Sequence, residues 1–183
     1  MVQQEHTELI HTYLRAKDES RPILFRQVFL KEGRFQTRFS IDTDFNQGGM
    51  RHGLDTITQT FQQLGAGFEN IFTTCPIESA FYNDVGQLES SWVVGMTGRN
   101  EGQVRLAAGS YLWTFDSDSG LVKELDVLME HMLVLPAHHA ESILSWLSPL
   151  PQPWCRSVEL LERMPHLSEL QPVRDYFSNS FPS

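Results

Sequence analysis

Residues 109–134 (GSYLWTFDSDSGLVKELDVLMEHMLV) constrain this chain more than any other stretch. They read as two long strands joined by a turn, with aromatic residues crowded near the end of the first. In the second strand Leu125, Val127, Met129, His131 and Leu133 fall on one face, and Glu124, Asp126 and Glu130 on the other. A period of two marks a half-buried strand. The connection Asp116-Ser117-Asp118-Ser119-Gly120 is built of short side chains that bond their own backbone, and its glycine tolerates positive φ. It has the acidic look of a calcium loop. That motif, however, places its glycine sixth and closes on a bidentate glutamate, whereas Gly120 is fifth. A hairpin turn is the better account. A curved sheet rich in Trp and Tyr, preceded by amphipathic helices, is a common way to enclose a pocket for a small apolar molecule.

Upstream, residues 5–17 predict a helix with Leu9, Ile10, Tyr13 and Leu14 as its apolar stripe. Ser20 caps a second helix, with Pro22 in its first turn, where no donor is lost. Ile23, Leu24, Val28 and the Phe25/Phe29 pair form its buried side, and Gly33 stops it. Phe35, Thr37 and Phe39 alternate with Gln36 and Arg38 in a short strand that runs into residues 41–45. The glycine-rich segment 46–53 reads as a mobile or tightly turning loop. Residues 54–64 predict a third helix, carrying Leu54, Ile57, Phe61 and Leu64 at helical spacing. Strands at 71–82, 87–98 and 104–115 follow, with turns at 83–86 and 99–102. Together with the last strand of the hairpin they make a four-stranded antiparallel meander.

After Pro136 the pattern becomes helical again, at 137–148, 158–164 and 168–177, around a stiff proline-rich link at 149–153. Trp146, Trp154, Leu160, Leu161 and Phe177 make this tail apolar enough that it must dock, on its own domain's edge or on a partner subunit. The 183 residues thus divide into one domain, 1–136, and a helical C-terminal extension, 137–183. A net charge of −9 argues against nucleic acid as a partner. No apolar run approaches the length of a membrane span, and the polar N-terminus has no secretory h-region, so the cytoplasm is the default. Cys75 and Cys155 are too few for a disulfide framework and fit no zinc spacing, and His138-His139 lacks further ligands. No metal or cofactor is expected.

The element order comes with Tyr13 in the first helix, Phe29 closing the second, and His52-Gly53-Leu54-Asp55-Thr56-Ile57 opening the third. Tyr111-Leu112-Trp113-Thr114-Phe115, followed by Gly120-Leu121-Val122, closes it. In these features the chain resembles the nuclear transport factor 2-like superfamily, and within it the SnoaL-like and ketosteroid isomerase branch, over residues 5–136. The resemblance implies an α+β cone: a strongly bent, mostly antiparallel sheet wrapped around three N-terminal helices, with a pocket inside. It also implies, often, a homodimer through the sheet's outer face. Carried over by position, the isomerase's oxyanion tyrosine falls on Tyr13 and its general-base aspartate on Asp44. Asp42 is the alternate, because the segment after Phe29 is longer here. The second oxyanion donor, a protonated aspartate in the isomerase, falls on Tyr111. A carboxylate beside an apolar wall has a raised proton affinity and can take a proton α to a carbonyl. Two phenols aimed at the carbonyl oxygen would stabilise the resulting enolate.

Each residue also has a plainer role open to it. Tyr13 could be a core tyrosine, and Asp42 and Asp44 solvated carboxylates of a loop. His131 would serve as base or proton shuttle if it faced the cavity, and as a satisfied structural histidine otherwise. Phe29, Trp113, Leu125, Val127 and Met129 are the expected ligand-binding wall, with His52 at its mouth. Trp92, Val94 and Met96 share a strand face suited either to self-association or to packing under the tail. The chain therefore reads as a pocket protein for a small apolar ligand. In its catalytic form it would be a cofactor-independent isomerase, dehydratase or cyclase acting by acid–base chemistry on a small apolar carbonyl compound. The competing reading is a ligand-binding or dimeric assembly module without turnover. A third, the small subunit of a ring-hydroxylating oxygenase, rests on length alone.

Overall fold

The computed structural model describes residues 1–40 and 49–180. The chain begins with α1 (Gln4–Asp18), a 3-10 segment (Pro22–Gln27), β1 (Phe29–Phe39), β2 (Gly49–His52) and α2 (Leu54–Gly67). Then come β3 (Phe68–Pro76), a 3-10 turn (Ile77–Ser79), β4 (Phe81–Tyr82), β5 (Leu88–Gly98), β6 (Val104–Phe115) and β7 (Val122–Leu135). The tail supplies α3 (Ala140–Leu147), β8 (Trp154–Cys155), α4 (Ser157–Glu162) and α5 (Gln171–Ser180). The strands form one sheet in the order β2-β1-β7-β6-β5-β3-β8, with β4 beside β5. Pairing is antiparallel except for β1 with β7 and β3 with β8. Helix α2 touches β1 at one side of this path and β3 at the other, so the sheet curls around it. The expected α+β architecture with a bent, mostly antiparallel sheet is what the chain forms. Among the described residues no helix is long and apolar enough to cross a membrane.

Several local expectations change. Among the described residues only two α-helices precede β3, because the segment expected as the second is a six-residue 3-10 turn. Ser20 does not cap it: Arg21 holds the N-cap position and Ser20 sits at φ 51°. Ile23 faces solvent, whereas Phe25, Val28 and Phe29 are buried. Phe29 opens β1 rather than closing a helix. Gly33, expected as a helix stop, lies inside that strand within an irregularity spanning Phe29 to Arg34. A Cβ there would meet the Leu30 carbonyl oxygen at 2.9 Å, so the irregularity requires glycine. Residues 49–52, read as loop, pair antiparallel with β1 as β2. The long strand expected at 71–82 breaks after Pro76 into the 3-10 turn and β4.

The sheet separates two cores. Inside, Ile10, Tyr13 and Leu14 of α1 pack with Phe25, Phe29, Ile57 and Phe61, against Trp92, Trp113 and Leu125 of the sheet. Outside, Val93, Leu106 and Ala108 pack under Ile143, Trp146, Leu160 and Phe177 of the tail. Of the two docking places open to the tail, it takes its own domain's sheet. Full burial of an aliphatic or aromatic side chain stabilises by about 1.5–3 kcal/mol, and the tail contributes Ile143, Leu160, Leu170, Val173 and Phe177, all at 0% exposure. Trp146 Nε1 donates to the Leu160 carbonyl oxygen at 2.9 Å, which ties α3 to α4. Over β5 and β6 the outer face that the resemblance offers to a second copy is therefore filled by this chain itself. Over β1 and β7 that face is polar: Arg38 pairs with Asp126 at 2.8 Å and Arg34 with Glu124 at 3.6 Å.

Candidate functional site

Period-two geometry sends Phe35, Thr37 and Phe39 of β1, Trp92, Val94 and Met96 of β5, Tyr111 of β6, and Val127 and Met129 of β7 to the concave side. Facing them, α1 presents Tyr13 and Lys17, and α2 presents Thr60, Phe61, Gln63 and Leu64. These side chains leave a cavity of about 580 Å³, within the roughly 300–1,000 Å³ typical of small-molecule sites. The wall is mainly apolar. Trp92, Val94 and Met96, read as a self-association or tail-facing surface, point into this cavity instead. Val93, their neighbour, meets the tail. Both faces of β5 are apolar because both are covered, so its alternation carries no sign of which side is inner.

Tyr13 is the hub of the inner core. The rings of Phe25, Phe29, Phe61, Tyr111 and Trp113 surround it edge-on, at centroid distances of 5.1–6.2 Å. The Tyr13 and Tyr111 rings meet edge-on at 6.1 Å, and burial pushes both phenols far above their ordinary range. Both therefore keep their protons at neutral pH and act as neutral donors. Trp113, Phe29 and Leu125 are fully buried in the core behind the wall rather than in it. Val127 and Met129 line the cavity. His52 is exposed on β2, opposite Arg34, and its neighbour Arg51 lines the cavity in its place. Asp42 and Asp44 lie outside the described residues.

His131 is on the wrong side of the sheet for a cavity base. Along β7 the pairing runs Leu128 with Ser110 and Met129 with Gly109, and then skips Glu130 to place His131 opposite Ala108. That bulge inverts the inside-outside alternation from His131 onward. The His131 ring accordingly packs against Tyr176 of α5, with centroids 5.2 Å apart. Leu133 follows it to the outer core, and Met132 turns inward. Gly109 permits the bulge, since a Cβ there would fall 1.9 Å from the Leu128 carbonyl oxygen. The glycine in an otherwise unbroken strand run was the one visible signal.

The polar part of the wall that periodicity did not single out is Lys17. It continues the stripe Ile10, Tyr13, Leu14 at the next helical step and is buried. Its Nζ contacts Asp18 Oδ1 and donates to Thr73 Oγ1 at 2.6 Å. Asp18 is held by three further donations: Thr73 N at 2.8 Å, Thr73 Oγ1 at 2.9 Å and Gln152 Nε2 at 3.1 Å. Gln152 comes from the proline-rich link of the tail. Cys75 and Cys155 belong to adjacent strands, but their register sends one to the inner core and the other to the outer. Burial pushes the Cys75 thiol strongly up and that of Cys155 up to about 11, so neither supplies a thiolate at neutral pH. Among the described residues no three His, Cys, Asp or Glu side chains gather as a metal site.

No protein-family model matches the chain, and no curated protein matches its sequence. Solved structures do match its shape. A scytalone dehydratase-like protein from Novosphingobium aromaticivorans aligns over 72% of this chain and 89% of its own, with 14% identity and a TM-score of 0.55. A protein with a ketosteroid isomerase-like fold from Catenulispora acidiphila, solved with trimethylamine, covers 65% of this chain and 82% of its own, at 13% identity and a TM-score of 0.53. A nuclear transport factor 2-like protein from Salmonella enterica covers 73% and 90%, at 23% identity and a TM-score of 0.52. At these identities the likeness establishes the fold: this chain has the cystatin-like, nuclear transport factor 2-like cone.

Proposed function

We propose that this protein binds a small, largely apolar carbonyl compound inside the cone, its oxygen held by the Tyr13 and Tyr111 hydroxyls. The observation that carries this reading is the pair of adjacent, neutral phenols in the wall of an aromatic cavity of about 580 Å³. Against a largely apolar wall, donors aimed at a carbonyl oxygen gain strength as negative charge develops on it. Removal of an α-proton would leave its electron pair on that oxygen as an enolate. Reprotonation elsewhere gives an isomer; expulsion of a β-hydroxyl gives a dehydrated product. The part of the base belongs to Asp44, with Asp42 as alternate. The activity named for the scytalone dehydratase-like neighbour, a dehydration, accords with proton-transfer chemistry in such a cone.

Binding without turnover is the second reading. What favours it is that no Asp or Glu is among the described residues of the cavity wall. Calorimetry with a panel of cyclic enones and steroid ketones tests the binding, and proton NMR in D2O follows exchange at the α-carbon of any ligand found. The expected result is a ketone that binds wild-type protein and binds roughly tenfold more weakly to Tyr13→Phe or Tyr111→Phe, the loss of one hydrogen bond of about 1.4 kcal/mol. Unchanged affinity in both variants would refute the role given to the phenols. Loss of exchange in Asp44→Asn or Asp42→Asn, with binding intact, would identify the base. Binding with no exchange in wild type decides for the non-catalytic reading.

A further inference from the structure

We infer that the ligand carries a second oxygen, a hydroxyl group recognised by Thr37: a hydroxyketone the size of a fused bicycle rather than a simple ketone. The inference rests on the pocket reading above and names the other end of the molecule. Strand register places Thr37. It pairs with Val127 across β1 and β7, and Val127 pairs with Tyr111 across β7 and β6. All three line the cavity, so they stand in one row across the concave face. Neighbouring strands lie about 4.8 Å apart, which sets the Thr37 and Tyr111 backbones roughly 10 Å from each other along that row. Exposure rises in the same direction: Tyr111 is 4% exposed, Val127 7%, and Thr37 is only half-buried. Tyr13, whose ring meets that of Tyr111, is 1% exposed. The phenols therefore stand at the closed end of the row and Thr37 at its more open end. A ligand lying along the row with its carbonyl oxygen at the phenols brings its far end towards Thr37.

The surroundings of the Thr37 hydroxyl make it informative. Its inward neighbours are Phe35 and Phe39 along β1, and Val127 and Met129 on β7, so the wall around it is apolar. Thr60, the wall's other aliphatic hydroxyl among the described residues, already donates to the Thr56 carbonyl oxygen at 2.9 Å. Thr37 Oγ1 makes no side-chain hydrogen bond among the described residues. Valine has nearly the same shape and suits a strand as well, without a polar atom to desolvate. An apolar ligand end pressed against Thr37 would strip water from its hydroxyl and return nothing. A ligand hydroxyl satisfies it, because a threonine hydroxyl both donates and accepts. A wall that hydrogen-bonds a ligand hydroxyl disfavours the analogue that lacks it.

The test compares 1-tetralone with its 5-, 6- and 7-hydroxy derivatives by calorimetry, on wild-type protein, Thr37→Val and Thr37→Ser, at about pH 6, where the ligand phenols are protonated. The derivatives share one carbonyl and present the hydroxyl in different directions. At least one is expected to bind wild type about tenfold more tightly than 1-tetralone. Thr37→Val should bring that derivative down to the affinity of the parent and leave the parent unchanged, whereas Thr37→Ser should keep the preference. Equal binding of the parent and every derivative by wild type would overturn the inference yet leave the pocket reading standing. So would a preference that survives in Thr37→Val. An equal loss of parent and derivative in that variant would also overturn it, because Thr37 would then shape the wall without reading the hydroxyl. Failure of all the tetralones, when a ketone of the wider panel binds, removes the bicyclic hydroxyketone alone. Binding of no ketone at all would remove both readings.

Discussion

The two faces of one sheet solve opposite problems in this molecule. On the outer side the tail packs closely: Gly95 leaves room for Leu147 and Ile143 of α3, and small Ala108 sits under the same cover. On the inner side the residues are larger, yet they leave a void. Rings propped edge-on around Tyr13 cannot collapse inward without breaking five aromatic contacts. The difference shows two uses of the same strands: one face is covered by the tail, and the other borders the cavity. Stability resides in the outer layer and the ring of aromatics, and the hollow they protect is free to be specific for a ligand.

The strongest way to break this comparison is to remove the outer layer. A chain ending at Pro136 would expose Val93, Leu106 and Ala108, all now at 0% exposure, and is expected to lose cooperative folding in thermal melts followed by circular dichroism. The single change Phe177→Ala, at the centre of that layer, should cost about 3–5 kcal/mol in urea unfolding. If the truncated chain folds with wild-type stability, the tail is an ornament and the contrast between faces disappears.

Adding bulk sharpens the same contrast with a smaller effect. Gly95→Val would set its first side-chain atom 2.6 Å from Leu147 Cδ1 and 3.2 Å from Ile143 Cγ2, forcing α3 outward at a cost of about 1–3 kcal/mol. Its neighbour Val94, one residue along and pointing inward, should accept Val94→Phe at a cost below about 1 kcal/mol, because the ring enters open space. The inner variant should nonetheless lose ligand binding, while the outer one keeps it in proportion to its folded fraction. Denaturant curves and the ketone titration on both proteins give the answer. Equal destabilisation by the two would mean that the inner void closes in solution.

How far the sequence announces all this depends on which rule each element obeys. The strand at 104–115 and the turns beside it follow pattern and turn chemistry closely, and the cone came as what the family resemblance implied. What failed were the places where a strand changes phase or is covered twice. The bulge at Glu130 moved His131 outward, and no alternation of apolar residues could reveal it, since Met132 and Leu133 are equally apolar. Trp92, Val94 and Met96 were misassigned because the tail makes β5 apolar on both faces. Proline and a capping serine suggested a helix at Pro22, yet with Ser20 at positive φ and Phe29 already committed to β1, only one 3-10 segment fits between. Lys17 escaped notice because a charge on an apolar stripe reads as a breach in the pattern, when here it is part of the wall.

The smallest effect expected near neutral pH, and the most selective, concerns proton linkage at the phenols. Burial raises Tyr13 and Tyr111 inside and Tyr176 under the tail, so each is neutral when folded and ionises more readily when unfolded. The sign follows directly: their contribution is intact below the unfolded tyrosine pKa of about 10 and is lost as pH rises above it. The Cys75 thiol, also raised by burial, adds a loss of the same sign that begins roughly one unit lower. Unfolding free energy should thus be insensitive to these groups between pH 6 and 8 and fall steeply above about pH 10. Tyr13→Phe should flatten the inner part of that fall and Tyr176→Phe the outer part. A saturating ketone distinguishes the two faces in another way: bound to the protonated phenols it lifts the whole curve without moving its onset, and Tyr13→Phe should reduce that lift whereas Tyr176→Phe leaves it unchanged. If the ketone stabilises Tyr13→Phe as much as wild type, it does not bond to that hydroxyl, and the inner face is a cavity without the donor assigned to it.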